Sequence, residues 1–241
     1  MIDVKNVSKT YNGKILAIDD VSLKINNGEI VGFIGLNGAG KTTLIKMMTG
    51  ILKMDSGSIK INGHDIVKDG IEAKKCIGYI SDNPDMFLRL TGIEFINLIA
   101  DIYNIPVSVR QKRIIYLTSM FDIYDLLDKP MQGYSHGNRQ KMMVVAALVH
   151  NPKVWILDEP MVGLDPRSAL VLKNMMKEHA KAGNTVFFST HVLEVAEKLC
   201  DKVAIIDKGK ITYYGTLDDL KKKYKRKDLE SLFMEVVEGD E

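Results

Sequence analysis

A glycine-rich segment that ends in a lysine and two threonines could bind the phosphate groups of a nucleotide. Its glycines allow successive backbone N–H groups to turn inward around phosphate oxygens, and the start of a helix adds a partial positive charge there. The lysine supplies a full positive charge, and the first threonine offers a hydroxyl ligand to a Mg²⁺ ion that bridges the phosphates. An apolar run before the segment, Glu29–Ile34, and helical spacing after it favour this interpretation over a glycine-rich turn that binds nothing. The segment follows the pattern G-x-x-x-x-G-K-[ST] and consists of Gly35, Leu36, Asn37, Gly38, Ala39, Gly40, Lys41, Thr42 and Thr43.

Two neighbouring carboxylates follow another apolar run, Val154–Leu157. Ligands of open parallel sheets bind at the carboxyl ends of the strands, so Asp158 and Glu159 are expected at the same edge as the glycine-rich loop. Asp158 suits the coordination shell of Mg²⁺, through a water, and Glu159 suits the base that polarises an attacking water. The alternative is a strand that ends in a polar turn, and the pairing with the glycine-rich loop disfavours it.

A third polar segment, Tyr134–Lys141, precedes and opens a helix that is predicted to begin near Gly137. Ser135 suits the N-cap of this helix, and its hydroxyl and the following N–H groups form a potential anion site. Taken alone, the segment is more readily explained as an ordinary capped helix.

The elements that would position these residues form an α/β pattern interrupted by a helical block at about residues 83–150. After the block, strands alternate with helices, which predicts a parallel sheet covered on both faces. Helical spacing follows the glycine-rich loop up to Gly50, a predicted helix end. The predicted strands are Ile2–Val7, Val21–Ile25, Glu29–Ile34, Ser58–Ile61, Cys76–Ile80, Val154–Leu157, Thr185–Ser189 and Val203–Ile206. The further predicted helices are Ile93–Ile102, Val109–Met120, Gly137–His150, Pro166–Ala182, Val192–Leu199 and one that starts at Thr216.

Composition limits the classes of protein that fit the chain. Its 241 residues are 46% hydrophobic, enough for one large or two small domains with a sizeable core. The 33 Lys and Arg nearly balance the 31 Asp and Glu, so the net charge of +2 gives no electrostatic argument for nucleic acid. Cys76 and Cys200 match no metal or redox spacing and favour a reduced, cytosolic protein. The start, Met1–Lys5, lacks the long apolar region that is expected of a signal peptide. The longest apolar run, Met142–Val149, falls far short of the roughly 20 residues that cross a bilayer.

The order and spacing of the motifs resemble those of ATP-binding cassette (ABC) proteins over about residues 1–220. Tyr134–Lys141 resembles the signature sequence of that family, Gly163–Asp165 resembles its D-loop, and Ser189–His191 resembles the strand end that carries its switch histidine. The resemblance implies an α/β fold with a P-loop NTPase (RecA-like) core and parallel sheet, an N-terminal antiparallel β subdomain and an inserted α-helical subdomain. A short extension at residues 221–241 would follow this ABC ATPase domain.

The resemblance also implies roles for single residues. Lys41, Glu159 and His191 would act on the γ-phosphate and the attacking water, Thr42, Asp158 and Asp82 would hold Mg²⁺, and the loop Gly35–Thr43 would bind ATP together with Tyr11, Ser135, Gly137 and Asp165. From the residues alone, Tyr11 is more readily a packing aromatic, and Asp165, before a proline, is a sound N-cap. His191 is open to a simpler interpretation as the cap of the following helix.

Two positions depart from the family pattern. Asp82 stands where the family has a glutamine that ligates Mg²⁺ and senses the membrane partner. A carboxylate brings more charge to the metal than an amide, but when ionised it cannot donate a hydrogen bond. We therefore expect Asp82 to keep the metal or water role with altered coupling. His136, Gly137 and Asn138 stand where the family favours Gly-Gly-Gln, and the role of His136 is open.

By this resemblance the chain would bind and hydrolyse ATP as a homodimer, with each nucleotide between one loop and the partner's signature sequence. It would power transport, with export favoured, through separate membrane permease chains, and it would lie in the cytoplasm on the inner face of the membrane. The alternative is a soluble ABC ATPase that acts on ribosomes or nucleic acid, which the single cassette disfavours. The basic run Lys221–Lys227 could touch anionic lipid or RNA, although a solvated helix face is the simpler interpretation.

Overall fold

The computed structural model describes residues 1–224, which form ten strands and eight α-helices. The strands are β1 (Ile2–Tyr11), β2 (Ile15–Ile25), β3 (Ile30–Ile34), β4 (Ser56–Ile61), β5 (His64–Asp65), β6 (Ile77–Ile80), β7 (Val154–Leu157), β8 (Thr185–Thr190), β9 (Lys202–Asp207) and β10 (Lys210–Gly215). The helices are α1 (Lys41–Met48), α2 (Gly70–Lys75), α3 (Gly92–Ile102), α4 (Val107–Met120), α5 (His136–Leu148), α6 (Pro166–Lys181), α7 (Leu193–Leu199) and α8 (Leu217–Tyr224). Short 3₁₀ turns lie at Tyr124–Leu126 and Met131–Gly133.

The larger sheet has six strands in the order β10-β9-β3-β8-β7-β6. All neighbours pair in parallel except β10, which is antiparallel to β9. Every residue of β3, β7 and β8 is buried, because layers cover both faces of the sheet. The predicted parallel sheet is confirmed. Two of its central strands, β3 and β7, are the apolar runs that precede the glycine-rich loop and the Asp158–Glu159 pair.

The N-terminal strands build a separate antiparallel sheet in the order β2-β1-β4-β5. Its inward residues alternate along β1 and β2 and share one hydrophobic core with α1 and with one face of the larger sheet. Phe33 of β3 and Phe187 of β8 lie in this core with ring centroids 5.3 Å apart. The predicted N-terminal antiparallel subdomain is therefore confirmed, and its strands are longer than their alternating centres indicated.

Helices α3, α4 and α5 form the helical block between β6 and β7, as the sequence predicted. Thr91 begins α3 with a capping box, in which its hydroxyl accepts the Glu94 N–H and the Glu94 side chain accepts the Thr91 N–H. The block shares a second hydrophobic core with the other face of the larger sheet, around Phe95, Met142 and Trp155. Its helices therefore rest directly on the strands that carry the site.

Three elements had no clear periodic signal in the sequence. Helix α2 buries only Ala73, strand β5 has two residues, and most of β10 is half-buried at the sheet edge. Elements with so small an apolar face give little hydrophobic pattern.

The predicted end of α1 and the predicted start of α8 are confirmed. Gly50 follows α1 at φ +68°, and the Thr216 hydroxyl accepts the Asp219 N–H at the start of α8. The predicted extension lies outside the described residues from 225 onward.

Close packing between β6 and α5 leads to a stability prediction. A Cβ on Gly78 would lie 2.6 Å from both the Ala147 carbonyl oxygen and Pro152 Cγ, whereas a Cβ on Gly70 would meet nothing within 4 Å. We expect Gly78→Ala to lower the free energy of unfolding by about 1–3 kcal/mol, because two backbone-anchored neighbours must move. Gly70→Ala, at the first position of α2, should change it by less than about 0.5 kcal/mol. Urea unfolding of both variants checks this, and equal midpoints would contradict it.

Candidate active site

The glycine-rich loop connects β3 to α1 and lies against neighbouring backbone. A Cβ on Gly35 would come within 2.6 Å of the Ile206 carbonyl oxygen, and one on Gly40 within 2.7 Å of the Ala17 carbonyl oxygen. Gly40 is also the N-cap of α1 at φ 110°, a conformation that L side chains rarely adopt. Only glycine satisfies both requirements, so the loop is held open with its N–H groups at the helix N-terminus.

The Lys41 ammonium folds back over this loop. Its Nζ donates to the Gly35 carbonyl at 2.7 Å and to the Leu36 carbonyl at 3.3 Å, and the side chain is only 7% exposed. The same Nζ lies 3.7 Å from Glu159 Oε1. An ammonium group has three donors, so Lys41 can keep the loop in shape and still present one N–H to a ligand.

A buried carboxylate links the loop to the neighbouring strands. Asp158 is 0% exposed, and its two oxygens accept hydrogen bonds from the Thr42 hydroxyl at 2.7 Å and the Ser189 hydroxyl at 2.5 Å. Burial raises the pKa of Asp158, these two hydrogen bonds oppose the rise, and the negative charges of Asp82 and Glu159 add to it. The site therefore holds a carboxylate whose charge is only partly offset.

Glu159 follows directly in a left-handed backbone conformation, at φ 47°. Its N–H donates to the Ser189 hydroxyl at 2.8 Å, which fixes the turn after β7. Its carboxylate lies between two partners, His191 Nδ1 at 3.0 Å from Oε2 and Lys41 Nζ at 3.7 Å from Oε1. A strained residue that aims a carboxylate at a lysine and a histidine is typical of a catalytic position.

The glycine-rich loop, Lys41 and Glu159 line a cavity of about 240 Å³ at the carboxyl edge of the larger sheet. Asp82, two residues after the end of β6, is part of its wall. Tyr11 does not line it; this side chain ends β1 and is 38% exposed. The lining residues are Ala17, Leu36, Asn37, Gly38, Gly40, Lys41, Thr42, Thr43, Asp82 and Glu159.

The signature-like segment lies outside the lining of this cavity. Ser135 is the N-cap of α5 and accepts the Asn138 N–H at 3.3 Å, as predicted from its residue type. A Cβ on Gly137 would lie 2.6 Å from the Gly163 carbonyl oxygen, and one on Gly163 would lie 2.3 Å from the His136 ring. The two segments thus pack closely against each other, with His136 covering Gly163.

Asp165, two residues after Gly163, forms an ion pair with α5. It is the N-cap of α6 and accepts the Ser168 N–H at 2.9 Å, and Lys141 Nζ lies 3.0 Å from its carboxylate. The Ser168 hydrogen bonds, and then the Lys141 ammonium, hold the pKa of Asp165 well below its usual range. The polar groups that the sequence singled out therefore fall into two places on one chain, the phosphate cavity and the Ser135–Asp165 surface.

Sequence reasoning missed Ser189 and Ala17 as site residues. Ser189 was noted only as part of a strand end, yet its hydroxyl joins Asp158 to the Glu159 backbone. The register of β7 and β8, in which Leu157 pairs with Phe188, is what sets Ser189 beside Asp158. Ala17 contributes through a close backbone approach from the other sheet, for which the sequence carries no signal.

The donor set at this cavity fits Mg²⁺. Thr42 and Asp158 present oxygens 2.7 Å apart, and Asp82 adds a carboxylate in the same wall. Within residues 1–224 no group of three or more His, Cys, Asp or Glu could hold a metal by itself. Mg²⁺ suits such a sparse oxygen set, because it usually keeps water and phosphate oxygens among its ligands.

Comparison with known proteins identifies the family. A family model described as ABC transporter matches residues 18–162. The chain belongs to the ABC transporter family. It is 33% identical to the ABC transporter ATP-binding protein NatA of Bacillus subtilis over 238 residues, and this aligned region covers 97% of each chain. It is 37% identical to an uncharacterized ABC transporter ATP-binding protein of Nostoc, of whose length it spans 66%. It is 32% identical to the daunorubicin resistance ATP-binding protein DrrA3 of Streptomyces coeruleorubidus, over 91% of this chain and 69% of the relative.

Solved ABC structures have the same architecture. An ATP-binding subunit of an ABC transporter superposes with a TM-score of 0.93 at 32% identity over 98% of this chain and 99% of that one. A dimeric post-hydrolysis state of the cassette MJ0796, bound to ADP and Pi, superposes with a TM-score of 0.81 at 25% identity over 90% and 99%. The chain is thus an ABC ATP-binding subunit with ATPase activity, and the predicted P-loop NTPase fold is confirmed. Across residues 1–224, the structure contains no helix with the length and apolar character of a membrane span.

The raised pKa of Asp158 gives a prediction about pH and stability. A carboxyl whose folded pKa exceeds its unfolded value of about 3.9 binds its proton more tightly in the folded state. Stability is therefore lost as pH rises from about 3.9 through the folded pKa. Asp158→Asn keeps the shape and hydrogen-bonding oxygen, removes the buried charge, and should raise the nucleotide-free unfolding free energy at pH 7.5 by on the order of 1 kcal/mol.

Urea unfolding without Mg²⁺ or nucleotide, from pH 4 to pH 8, measures both effects. The gap between wild type and Asp158→Asn should widen as pH rises, while ATPase activity is lost. Asp69→Asn, an exposed substitution at the start of α2, is the matched control. A variant that is less stable than wild type at pH 7.5 would refute the argument from charge burial.

Proposed function

We propose that this ATP-binding subunit hydrolyses ATP as a homodimer with nucleotide at the subunit interface, and that it powers export through separate permease chains. One observation supports the proposed dimer. Lys41 and Glu159 line the phosphate cavity, whereas Ser135 and Gly137 do not. Each chain offers a phosphate loop in one place and a capped helix N-terminus in another. Two copies in opposed orientation bring the helix N-terminus of one over the cavity of the other.

In this arrangement the loop and Lys41 bind the phosphates from one side. The N–H groups of the loop surround the phosphate oxygens, and Lys41 adds its charge while its carbonyl contacts keep the loop open. The Ser135 hydroxyl and the N–H groups that follow it reach the γ-phosphate from the partner. Nucleotide therefore stabilises the dimer, and hydrolysis removes the group that both chains hold.

Glu159 serves as the base. A water between Glu159 and the γ-phosphate attacks phosphorus, the bond to the β–γ bridging oxygen breaks, and Glu159 takes a proton from the water. His191, 3.0 Å from the Glu159 carboxylate, fixes its orientation and reaches the γ-phosphate. Lys41 offsets negative charge on the phosphates as the bond to ADP breaks.

Thr42 and Asp158 would hold Mg²⁺, with Asp82 in the shell directly or through water. The ion would supply positive charge to the β- and γ-phosphate oxygens. Asp82 faces the cavity at the end of β6, where the chain leaves the core for the helical block. Because only a few residues separate Asp82 from the helical block, a movement of that block would shift the Asp82 carboxylate in the site.

Transport and its direction are supported by the relatives. NatA is an ABC transporter ATP-binding protein, and DrrA3 is a daunorubicin resistance protein, which suits export. A chain that binds such permeases works at the inner face of the membrane. Purification of the tagged chain from membranes should recover a multi-span protein, and recovery with ribosomes instead would favour the soluble alternative.

Glu159→Gln should trap the ATP-bound dimer. Glutamine keeps the shape of Glu159 but cannot accept the proton, so binding continues while hydrolysis falls by about a hundredfold or more. Light scattering after gel filtration should give a dimer with Mg·ATP and a monomer with Mg·ADP. Glu72→Gln, which alters an exposed glutamate on α2, should behave as wild type. A Glu159→Gln protein that stays monomeric at saturating ATP would contradict the interfacial site.

Mixing two inactive variants tests whether the site is shared. Lys41→Ala removes the phosphate contact of one chain, and Ser135→Arg blocks the helix N-terminus of the other. A mixed dimer keeps one intact site, composed of the loop of the Ser135→Arg chain and the helix of the Lys41→Ala chain. The ATPase rate of the mixture should exceed the sum of the separate rates. No gain, although mixed dimers form, would mean that each site lies within one chain.

A further inference from the structure

A second cavity, of about 290 Å³, lies between the helical block and the core. It shares no lining residue with the phosphate cavity. Leu117 of α4, Leu148 of α5 and Met175 of α6 give it an apolar wall, and Arg113, Trp155 and His179 add polar groups. Its volume is at the lower end of the range for small-molecule sites, and its mix of apolar wall and few polar groups is typical of them.

Two buried nitrogens in this wall have no hydrogen-bond partner within the described chain. They are Nε1 of Trp155, whose side chain is 0% exposed, and Nε2 of His179. The two rings meet edge to face with centroids 5.7 Å apart, and both residues line the cavity, so the Trp155–His179 contact forms a polar corner of its wall. A buried N–H without an acceptor destabilises the fold, and a ligand oxygen that accepts its hydrogen bond recovers part of that loss.

The charge around this corner favours an anion. Arg113 donates one guanidinium N–H to the Val149 carbonyl at 2.8 Å, and none of the carboxylates that the structure describes lies within ion-pair distance of it. Burial, and then the positive charge of Lys153, lower the pKa of His179 to about 4, so its ring is neutral at pH 7. Glu178 also lines the cavity, but its side chain is exposed and pairs with Lys181 at 3.1 Å.

We propose that this cavity binds a small monocarboxylate with an apolar body. The carboxylate accepts hydrogen bonds from the indole N–H of Trp155 and the free N–H groups of Arg113, and the apolar body rests on Leu117, Leu148 and Met175. The bound molecule joins α4 and α5 of the helical block to β7 and α6 of the core, independently of the proposed nucleotide chemistry.

Trp155 is the single tryptophan of the chain and lines this cavity, so its fluorescence can be followed as a reporter of binding there. Titration of the full-length protein with sodium benzoate, at constant ionic strength, should give a saturable change with a Kd of about 0.1–10 mM, as befits so small a ligand. Benzyl alcohol has the same ring without the charge and should bind at least tenfold more weakly. No saturable change with benzoate, or equal affinity for the alcohol, would overturn the proposal.

Variants separate this site from a non-specific effect. Arg113→Gln should weaken benzoate binding at least tenfold while ATPase activity stays unchanged, and Arg167→Gln, on the exposed start of α6, should leave binding unchanged. Trp155→Phe has no tryptophan fluorescence, so benzoate binding to this variant is followed through its melting temperature. Benzoate should raise the melting temperature of wild type and not that of Trp155→Phe. Equal binding by wild type and Arg113→Gln would exclude the carboxylate site, and an unfolded Trp155→Phe leaves the Arg113 comparison decisive.

Discussion

The buried carboxylate of Asp158 is the interaction on which the site depends. Its two oxygens accept from Thr42, at the start of α1, and from Ser189, near the end of β8. Three parts of the chain that are far apart in sequence meet at this one group. Ser189 then passes the constraint to Glu159 by accepting its backbone N–H. The position of Glu159 therefore follows from the same contacts that fix the glycine-rich loop.

The negative charge that this arrangement gathers at the site lowers the stability of the nucleotide-free protein. Asp82, Glu159 and Lys41 line the cavity, and the fully buried Asp158 lies next to it, hydrogen-bonded to the lining residue Thr42. Like charges at short distance, one of them fully buried, destabilise the empty fold. The same excess of negative charge makes the cavity suited to a divalent cation that accompanies an anionic substrate. The acidic groups that destabilise the nucleotide-free protein thus favour the form that binds a divalent cation with its anionic substrate.

Much of the site could be predicted from the sequence, because short motifs carry their own local geometry. A glycine loop with Lys41 and Thr42 folds the same way wherever a strand precedes it and a helix follows, and Ser135 and Asp165 cap helices as their residue types predict. Contacts between distant segments could not be predicted in this way. Ser189 beside Asp158 depends on strand register, and His136 over Gly163 depends on how two loops meet. Elements with small apolar faces, such as α2 and β10, were missed for lack of pattern.

The strand that carries the phosphate loop has an unusual place in the order of synthesis. Strand β3 lies near the start of the chain, yet its two neighbours in the sheet are β8 and β9, and Ile30 pairs with Val186 and Val31 with Lys202. Pairing of strands so distant in sequence is slow, because a long loop must close first. While the chain leaves the ribosome, the helical block can form from local contacts, whereas β3 has no partner until β8 emerges. A chain released early therefore carries the phosphate loop without the sheet that shapes it, and nucleotide binding becomes a property of the nearly complete protein.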